Sequence, residues 1–221
     1  MCLLMMPIGV VAVRVGIPFG VGLAVFALSC FAALAVVIAM IIAYLMPRYH
    51  QHRPAAIKSA LPALLPALLI LTVLISSGSY PPIHDITTNT DDPPLFDAGV
   101  AYRGAGTNPV DINPDAIAAQ LESYTGLASI KSPLSETEAF ERASDVATTL
   151  EWVIYNSDPR MGVIEASSTS FWFGFVDDIV IRVRQDGTGS TIDLRSVSRV
   201  GVSDLGANAK RIKLFIQHFP G

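Results

Sequence analysis

The pattern of apolar positions changes sharply along the chain, and the longest apolar run lies in its first part. From Val15 to Met46 the sequence has 32 residues without a charge. About 20 apolar residues cross the hydrocarbon core of a bilayer, so this run predicts a transmembrane helix. Glycine and proline before residue 21 weaken a helix there, which favours a span at about residues 20–45. Residues 1–16 either extend this span or lie at the membrane interface.

A second apolar run, at about residues 59–75, predicts another transmembrane helix near the lower length limit for a span. Pro62 falls in its first turn, where a missing N–H costs little, whereas Pro66 lies deeper and predicts a kink. Ala27–Cys30 weakly resembles a lipoprotein cleavage site, but the sequence stays apolar beyond Cys30, which favours a retained helix. Residues 1–76 are therefore interpreted as a membrane anchor surrounded by lipids.

The loop between the two predicted spans is cationic. Pro47–Lys58 contains Arg48, Arg53 and Lys58 and no acidic residue. Short loops rich in Lys and Arg remain in the cytoplasm. The segments before the first span and after the second span are therefore expected on the opposite side of the membrane. The sequence predicts a multi-pass protein of the cytoplasmic (inner) membrane, with residues 77–221 forming a soluble extracytoplasmic domain in the periplasm or cell envelope.

Beyond residue 76 the sequence takes on the mixed pattern of a water-soluble domain. It begins with a proline-rich stretch that predicts extended backbone with few regular elements. Asn113 followed by Pro114 predicts the start of a short helix. Ser135 and Glu138 form the capping-box pattern of a second helix, whose apolar residues recur at helical spacing.

After residue 151 the pattern becomes strand-like, with short apolar or alternating runs separated by turn residues. Ile179–Arg184 alternates in the way typical of an amphipathic strand, and Asp186–Gly189 predicts a turn to a returning strand. Ser203 or Asp204 then predicts the cap of a final helix. The order of two helices, about four strands and one helix predicts an α+β fold, with an antiparallel sheet packed by helices on one face.

Charge divides the chain close to the point at which hydropathy changes. The first 84 residues carry four cations and no acid, whereas the rest carries eleven Lys and Arg against nineteen Asp and Glu, a net charge of −8. Such a balance argues against a nucleic-acid partner, because neutralisation of phosphates dominates that binding. Both cysteines, Cys2 and Cys30, lie in the apolar part, so the acidic domain has no disulfide and no thiolate metal site.

Several stretches of the acidic part resemble one known family. They are Pro81–Thr88 with Asp92–Pro94, Phe171–Asp178 and Arg195–Ile212. The family is the domain-of-unknown-function 1499 family, often preceded by membrane helices as here, and the resemblance runs from about Tyr80 to the C-terminus. The family pattern has glycine before Trp152, where this chain has Glu151, a departure that concerns turn geometry. The resemblance implies a fold and an envelope setting, but no reaction and no catalytic residues.

The strongest candidate site lies in the last hairpin and the helix after it. With the turn at residues 186–189, Arg184 faces Thr191, Arg182 faces Asp193, and Val180 faces Arg195. Arginines near a helix N-terminus can hold an anion or a lipid headgroup. The residues of this candidate anion site are Arg195, Arg199, Ser203, Asp204 and Asn208, with Asp177, Asp178, Arg182 and Asp193 as supporting charges.

An alternative interpretation of the same residues is structural. The aspartates can neutralise the arginines in an ion-pair network, and Asp204 as a helix cap would occupy the helix terminus and repel an anion.

Other motifs are weaker still. Gly201–Gly206 is one residue too long for a nucleophile elbow, and Arg103–Gly106 lacks the third glycine of a dinucleotide fingerprint. No metal site is expected, since the loop acids Asp85, Asp91, Asp92 and Asp97 lack the spacing of a cation-binding loop. No cofactor is expected either.

The sequence leaves the function unknown and two classes open. The favoured one is a non-catalytic, membrane-tethered envelope domain that binds a partner protein, a lipid or a glycan. The alternative is an enzyme of unknown reaction that uses Asp177 and Asp178 with Arg195 and Arg199 as acid–base and anion-holding groups. A carboxyl pKa raised inside a concave pocket would favour the enzyme, whereas fully paired charges would favour the binding domain.

Overall fold

A computed structural model describes residues 2–78 and 80–220. The chain forms two compact units. The first comprises Met1–Ser79 together with Phe171–Gly174, and the second comprises Tyr80–Ser170 together with Phe175–Gly221. The first unit is referred to below as the anchor unit and the second as the α+β unit.

The anchor unit is helical, as its apolar sequence predicts. Its α-helices are α1 (Cys2–Arg14), α2 (Phe19–Leu45), α3 (Arg53–Ala60) and α4 (Leu64–Ser77), with 3-10 turns at Pro47–His52 and Leu61–Ala63. Two helical stretches, Phe19–Leu45 and Pro47–Ser76, are long and apolar enough to cross a membrane. The first coincides closely with the span expected at about residues 20–45, and residues 2–14 form a separate helix.

The second helical stretch differs from its prediction at its prolines. The change of winding falls at Leu61–Ala63, around Pro62, rather than at Pro66. Pro66 is the third residue of α4 and therefore lies in the first turn, where its missing N–H breaks no helical hydrogen bond. The interruption of the α-helix therefore lies at Pro62 and not at Pro66.

The α+β unit contains a six-stranded antiparallel sheet with the strand order β1-β6-β5-β4-β3, and β2 also pairs with β6. The strands are β1 (Asp85–Thr87), β2 (Ile130–Ser132), β3 (Val153–Asp158), β4 (Val163–Thr169), β5 (Val176–Asp186) and β6 (Gly189–Ser198). Its helices are α5 (Ala98–Tyr102), α6 (Pro114–Ser123), α7 (Glu136–Thr149) and α8 (Ala207–His218). The predicted α+β class and antiparallel sheet are confirmed.

The two strands beyond the four predicted are short and share one edge of β6. β1 pairs with residues 195–197 and β2 with residues 190–192, so together they cover most of β6. Three residues are too few to show alternation, which explains why the sequence did not reveal them. The Gln120 side chain then continues the ladder, because its amide accepts from the Thr87 N–H (2.9 Å) and donates to the Thr87 C=O (2.6 Å).

The last hairpin has the register that the sequence predicts. Asp186 pairs with Gly189 across the turn, and Arg182 pairs with Asp193. This register places alternate side chains of β5 and β6 on the same two faces. One face is apolar and packs against α7 and α8 through a core that includes Ile164, Ile181, Leu194 and Phe215.

Helix capping follows the sequence in two cases and departs from it in a third. Asn113 caps α6, and Ser135 with Glu138 forms the capping box of α7. Helix α8 begins at Ala207 with Gly206 as its cap, three residues after Ser203 and two after Asp204, the two caps that the sequence predicts. The reason is local geometry, because Leu205 and Gly206 have φ values of +51° and +81°, which a right-handed helix cannot include.

Glu151, which stands where the resemblance leads one to expect glycine, adopts a φ of +58°. This left-handed region favours glycine, since a Cβ there crowds the following carbonyl oxygen. The position therefore needs the turn geometry that glycine supplies, and Glu151 adopts the same conformation at some cost.

Candidate functional site

The face of the sheet opposite the apolar core carries charged side chains and is also buried. Residues 88–112, called the covering segment below, supply many of the groups that these side chains contact. Four of the charged residues have less than 2% of their surface exposed: Glu165, Asp178, Asp193 and Arg195. Each strand contributes them at alternate positions to the core residues, so the charged layer results from the same period of two that builds the core.

Asp193 forms the first cluster of this charged layer. Its carboxylate accepts from the guanidinium groups of Arg182 (2.8 Å) and Arg184 (2.6 Å), and from the Ser129 hydroxyl (2.5 Å). The Asn89 amide adds a fourth contact at 3.4 Å. Burial raises the pKa of the Asp193 carboxyl, but hydrogen bonds from Ser129, Arg182 and Asn89 lower it by more, so the net pKa lies below its ordinary value.

Arg195 is the centre of the second cluster. Its guanidinium donates two hydrogen bonds to the Asp85 carboxylate, at 3.0 and 2.7 Å, in the bidentate arrangement that makes such pairs strong. It also donates to the carbonyls of Pro94 (3.3 Å) and Val110 (2.7 Å), and it lies 5.6 Å from the centre of the Phe96 ring. One arginine thus holds both ends of the covering segment.

Asp178 forms the third cluster. It accepts a bidentate pair of hydrogen bonds from Arg199, at 2.9 and 2.7 Å, and a further ion pair from Arg103. Arg103 also donates to the Asn108 C=O (2.7 Å), which ties the far end of the covering segment to the same carboxylate. The Arg199 pKa is raised, first by its hydrogen bonds to Asp178.

Glu165 forms the fourth cluster and caps a helix from outside its own sequence neighbourhood. Its carboxylate accepts from the backbone N–H groups of Asp97 (2.8 Å), Ala98 (2.9 Å) and Gly99 (3.1 Å), where α5 begins, and from the Asn156 amide (2.8 Å). A carboxylate at a helix start satisfies donors that otherwise have no partner.

Tyr155 lies beside this cluster. Its hydroxyl is buried and, within the described part of the chain, has no hydrogen-bond partner. Burial raises the pKa of Tyr155 well above its ordinary value, and the nearby charges of Asp178 and Glu165 add to the shift. The Tyr155 side chain therefore stays neutral at physiological pH.

Asp177 points to the apolar side of the sheet and belongs to a separate network. It pairs with Arg211 of α8 at 2.5 Å. Asn208, one of the predicted site residues, donates to the His84 C=O (2.9 Å) and the Ser198 hydroxyl (3.0 Å) and accepts from Ser196 (2.7 Å). These contacts dock α8 onto the sheet.

The start of α8 is occupied by a carboxylate of the chain itself. Asp204 accepts from the backbone N–H groups of Gly206 and Asn208, both at 2.8 Å. Burial raises the pKa of Asp204, although these two hydrogen bonds oppose the shift. The Ser203 hydroxyl contacts the Pro81 C=O at 3.3 Å. An anion approaching this helix terminus would meet a half-buried carboxylate there, as the structural alternative anticipates.

The structure thus separates the residues of the candidate anion site. Arg195 and Arg199 lie on one face of the sheet but in different clusters, each with its own carboxylate. Asp177 and Asn208 lie on the opposite face. The predicted pairing of Arg182 with Asp193 is present at 2.8 Å.

Three residues of the charged layer lie outside the candidate site that the sequence predicts: Asp85, Arg103 and Glu165. Asp85 pairs with a residue 110 positions later, and Arg103 with one 75 positions later, so local spacing gives no indication of either. Glu165 could have been found from the sequence. A glutamate inside the apolar run Val163–Ala166 predicts a buried carboxylate that needs hydrogen-bond donors.

A groove of about 280 Å³ lies at one end of the covering segment. Its apolar lining includes Ile83, Ala116 and Ala119, and its acidic lining consists of Asp85, Asp111 and Asp115. Among residues 2–78 and 80–220, no group of three or more His, Cys, Asp or Glu side chains is arranged to hold a metal ion. The groove therefore combines an apolar floor with a negative rim.

The fold and the charged layer define an α+β protein with two apolar helices long enough to span a membrane. A family model described as "Protein of unknown function (DUF1499)" matches residues 85–219, more than half of the chain. The chain belongs to the DUF1499 family, as the sequence resemblance indicated. No curated protein matches it.

Proposed function

We propose that the protein is a non-catalytic binding module, anchored in the cytoplasmic membrane by two spans, with its α+β unit on the extracytoplasmic side. The cationic loop Pro47–Lys58 supports this orientation through the positive-inside rule, and the acidic α+β unit is consistent with it. Lipids surround the two spans, and the binding partner is met in the cell envelope.

The observation that carries the proposal is the closed pairing of the buried charges. Glu165, Asp178 and Asp193 each accept several hydrogen bonds from groups that also hold the covering segment in place. A general acid or base must exchange its proton with a substrate, and a catalytic arginine must have donors to spare. These side chains instead support the fold, so binding is the function that the geometry favours over catalysis.

The groove beside the covering segment is the surface through which we propose that binding occurs. Asp111 and Asp115 are exposed on its rim, whereas Asp85 is already paired with Arg195. An apolar floor under two exposed carboxylates is complementary to a chain that presents both apolar and cationic side chains. The proposed ligand is accordingly a basic segment of an envelope protein, with a lipid or a glycan as the competing outcome.

Site-specific photocrosslinking in native membranes tests this proposal. A benzophenone amino acid at Pro109, which lines the groove, is expected to give a discrete adduct with a protein. The same amino acid at Ala105, an exposed position of the covering segment outside the groove lining, is the matched control and is expected to give none. Adducts of the same pattern at both positions, or none at either, would contradict the proposal.

Charge reversal makes the test specific for the acidic rim. The Pro109 adduct is expected to disappear in an Asp111→Lys/Asp115→Lys variant, because the rim then repels a basic segment. Glu141→Lys/Asp145→Lys changes the net charge equally at exposed positions of α7 and is expected to retain the adduct. An adduct with lipid or glycan would contradict a basic protein segment as the ligand. An adduct that persists in the Asp111→Lys/Asp115→Lys variant would show that the acidic rim does not bind the ligand.

A further inference from the structure

The β4–β5 hairpin ends in a tip that is aromatic, uncharged and exposed. Residues 168–176 contain no charged side chain, and four of them are aromatic. Phe171 is 83% exposed and Trp172 is 62% exposed, and their rings meet edge to face at 5.8 Å. Two adjacent large aromatic side chains with this exposure are unusual on a surface that contacts water alone.

The tip is a defined structure rather than a loose loop. The Ser170 N–H donates to the Phe175 C=O (2.8 Å), and the Phe175 N–H donates to the Ser170 hydroxyl (2.9 Å). Gly174 has a φ of +70°, which the reversal of the chain requires. The aromatic side chains are thus presented on a closed turn, and little ordering would be needed for them to bind a surface.

The tip residues Phe171–Gly174 cluster with the apolar helices in the anchor unit. Within that unit, Arg14 donates from Nε to the Trp172 C=O (3.0 Å) and from its guanidinium to the Phe171 C=O, and the rings of Phe26 and Phe173 meet at 5.2 Å. Arg14 is the sole charge in residues 1–47 and precedes the 27-residue helix α2. A guanidinium beside a membrane span lies at the headgroup level.

We propose that the tip Phe171–Gly174 inserts into the interfacial layer of the bilayer, at the headgroup level marked by Arg14. Tryptophan and other aromatic side chains favour this layer, where the ring is partly desolvated and its polar edge remains hydrated. The ligand of this surface is the lipid bilayer itself. The tip is then a third point of contact with the bilayer, beside the two spans. The inference rests on the membrane anchoring proposed above.

Fluorescence quenching of the full-length chain in phosphatidylcholine vesicles tests the inference. In a Trp152→Phe variant, Trp172 is the remaining tryptophan and is expected to be quenched strongly by lipids brominated near the headgroup and weakly by aqueous iodide. The matched control carries Thr188→Trp with both native tryptophans replaced by phenylalanine. Position 188 lies in the turn that follows the 11-residue strand β5, at the end of the strand opposite the tip. The tryptophan placed there is expected to show the reverse preference.

Vesicle flotation of the same samples separates the two proposals. A chain that does not float with the vesicles contradicts both the anchoring and the tip insertion. A chain that floats, but whose Trp172 is quenched by iodide as strongly as the Thr188→Trp control and is insensitive to brominated lipid, contradicts the tip insertion alone.

A second measurement leaves Trp152 in place, because that side chain is buried and stacks on Phe215 at 5.6 Å. A nitroxide on Phe171→Cys, in a chain whose native cysteines are replaced by alanine, is expected to be more accessible to oxygen than to a soluble nickel complex. A nitroxide on Thr188→Cys is expected to show the opposite order. Equal accessibility profiles at the two positions would overturn the inference.

Discussion

The two faces of the sheet exclude water by different means. On one face, Ile181, Leu194 and their neighbours pack against α7 and α8, and burial of apolar surface stabilises the contact without requiring particular partners. On the other face, Asp178 and Arg195 are equally buried, but each needs specific donors or acceptors from distant parts of the chain. The apolar face tolerates loss of a contact in proportion to area, whereas the charged face depends on complete pairing.

The largest difference between the faces is expected when one buried charge is removed. Asp178→Ala leaves the guanidinium groups of Arg103 and Arg199 without their carboxylate, which is expected to lower the free energy of unfolding by about 3–5 kcal/mol. Leu194→Ala on the apolar face is expected to cost about 2–4 kcal/mol. Urea unfolding of the full-length chain in detergent measures both.

The two variants should also respond differently to a partial repair. Asp178→Asn restores the shape and one acceptor, so it is expected to lie between Asp178→Ala and the unchanged chain. An Asp178→Ala variant as stable as the unchanged chain would show that the charged layer does not hold the covering segment.

A double substitution sharpens the comparison by converting part of the charged face into an apolar one. Asp85→Leu alone leaves the Arg195 guanidinium buried without its carboxylate and is expected to cost about 3–5 kcal/mol. Arg195→Met in the same chain removes that charge, so the double variant is expected to be more stable than Asp85→Leu. The Arg195→Met variant alone completes the comparison. A loss of unfolding free energy in the double variant that equals the sum of the losses in the two single variants would contradict a direct coupling between these side chains.

A smaller effect is expected where α5 meets Glu165. A Cβ at Gly99 would lie 2.6 Å from the Tyr155 hydroxyl and 3.2 Å from the Glu165 carboxylate. Gly99→Ala is therefore expected to lower the unfolding free energy by about 1–3 kcal/mol through overpacking. Tyr155→Phe removes the hydroxyl that has no partner within the described part of the chain, and it is expected to restore most of that loss. Failure of this rescue would place the strain elsewhere.

The smallest expected effect is a difference in pH dependence. The pKa of Asp193 is lowered by its hydrogen bonds, so its contribution to stability is present above the ordinary aspartate pKa and is lost as pH falls through the lower folded-state value. The stability difference between the unchanged chain and Asp193→Asn is therefore expected to shrink on acidification below about pH 4. Thermal unfolding between neutral and acidic pH measures this difference, and a gap independent of pH would contradict the assignment.

Local patterns in the sequence predicted the fold better than they predicted the site. The alternation at Ile179–Arg184 and the turn at Asp186–Gly189 gave the strand register correctly, because both depend on near neighbours. The charged clusters depend on pairs such as Asp85 with Arg195, which are far apart in sequence and meet through the path of the covering segment. The start of α8 was predicted too early because the residue types alone do not indicate that Leu205 adopts a positive φ.

Cysteine labelling tests most directly the proposed topology, in which the cationic loop and the acidic α+β unit lie on opposite sides of the membrane. In a chain with Cys2 and Cys30 replaced by alanine, Thr188→Cys places one thiol at an exposed turn of the α+β unit, and Gln51→Cys places one in the cationic loop. In intact spheroplasts, a membrane-impermeant maleimide is expected to label Thr188→Cys at once and Gln51→Cys only after permeabilisation. Labelling of Gln51→Cys in intact spheroplasts, with Thr188→Cys protected, would contradict the account.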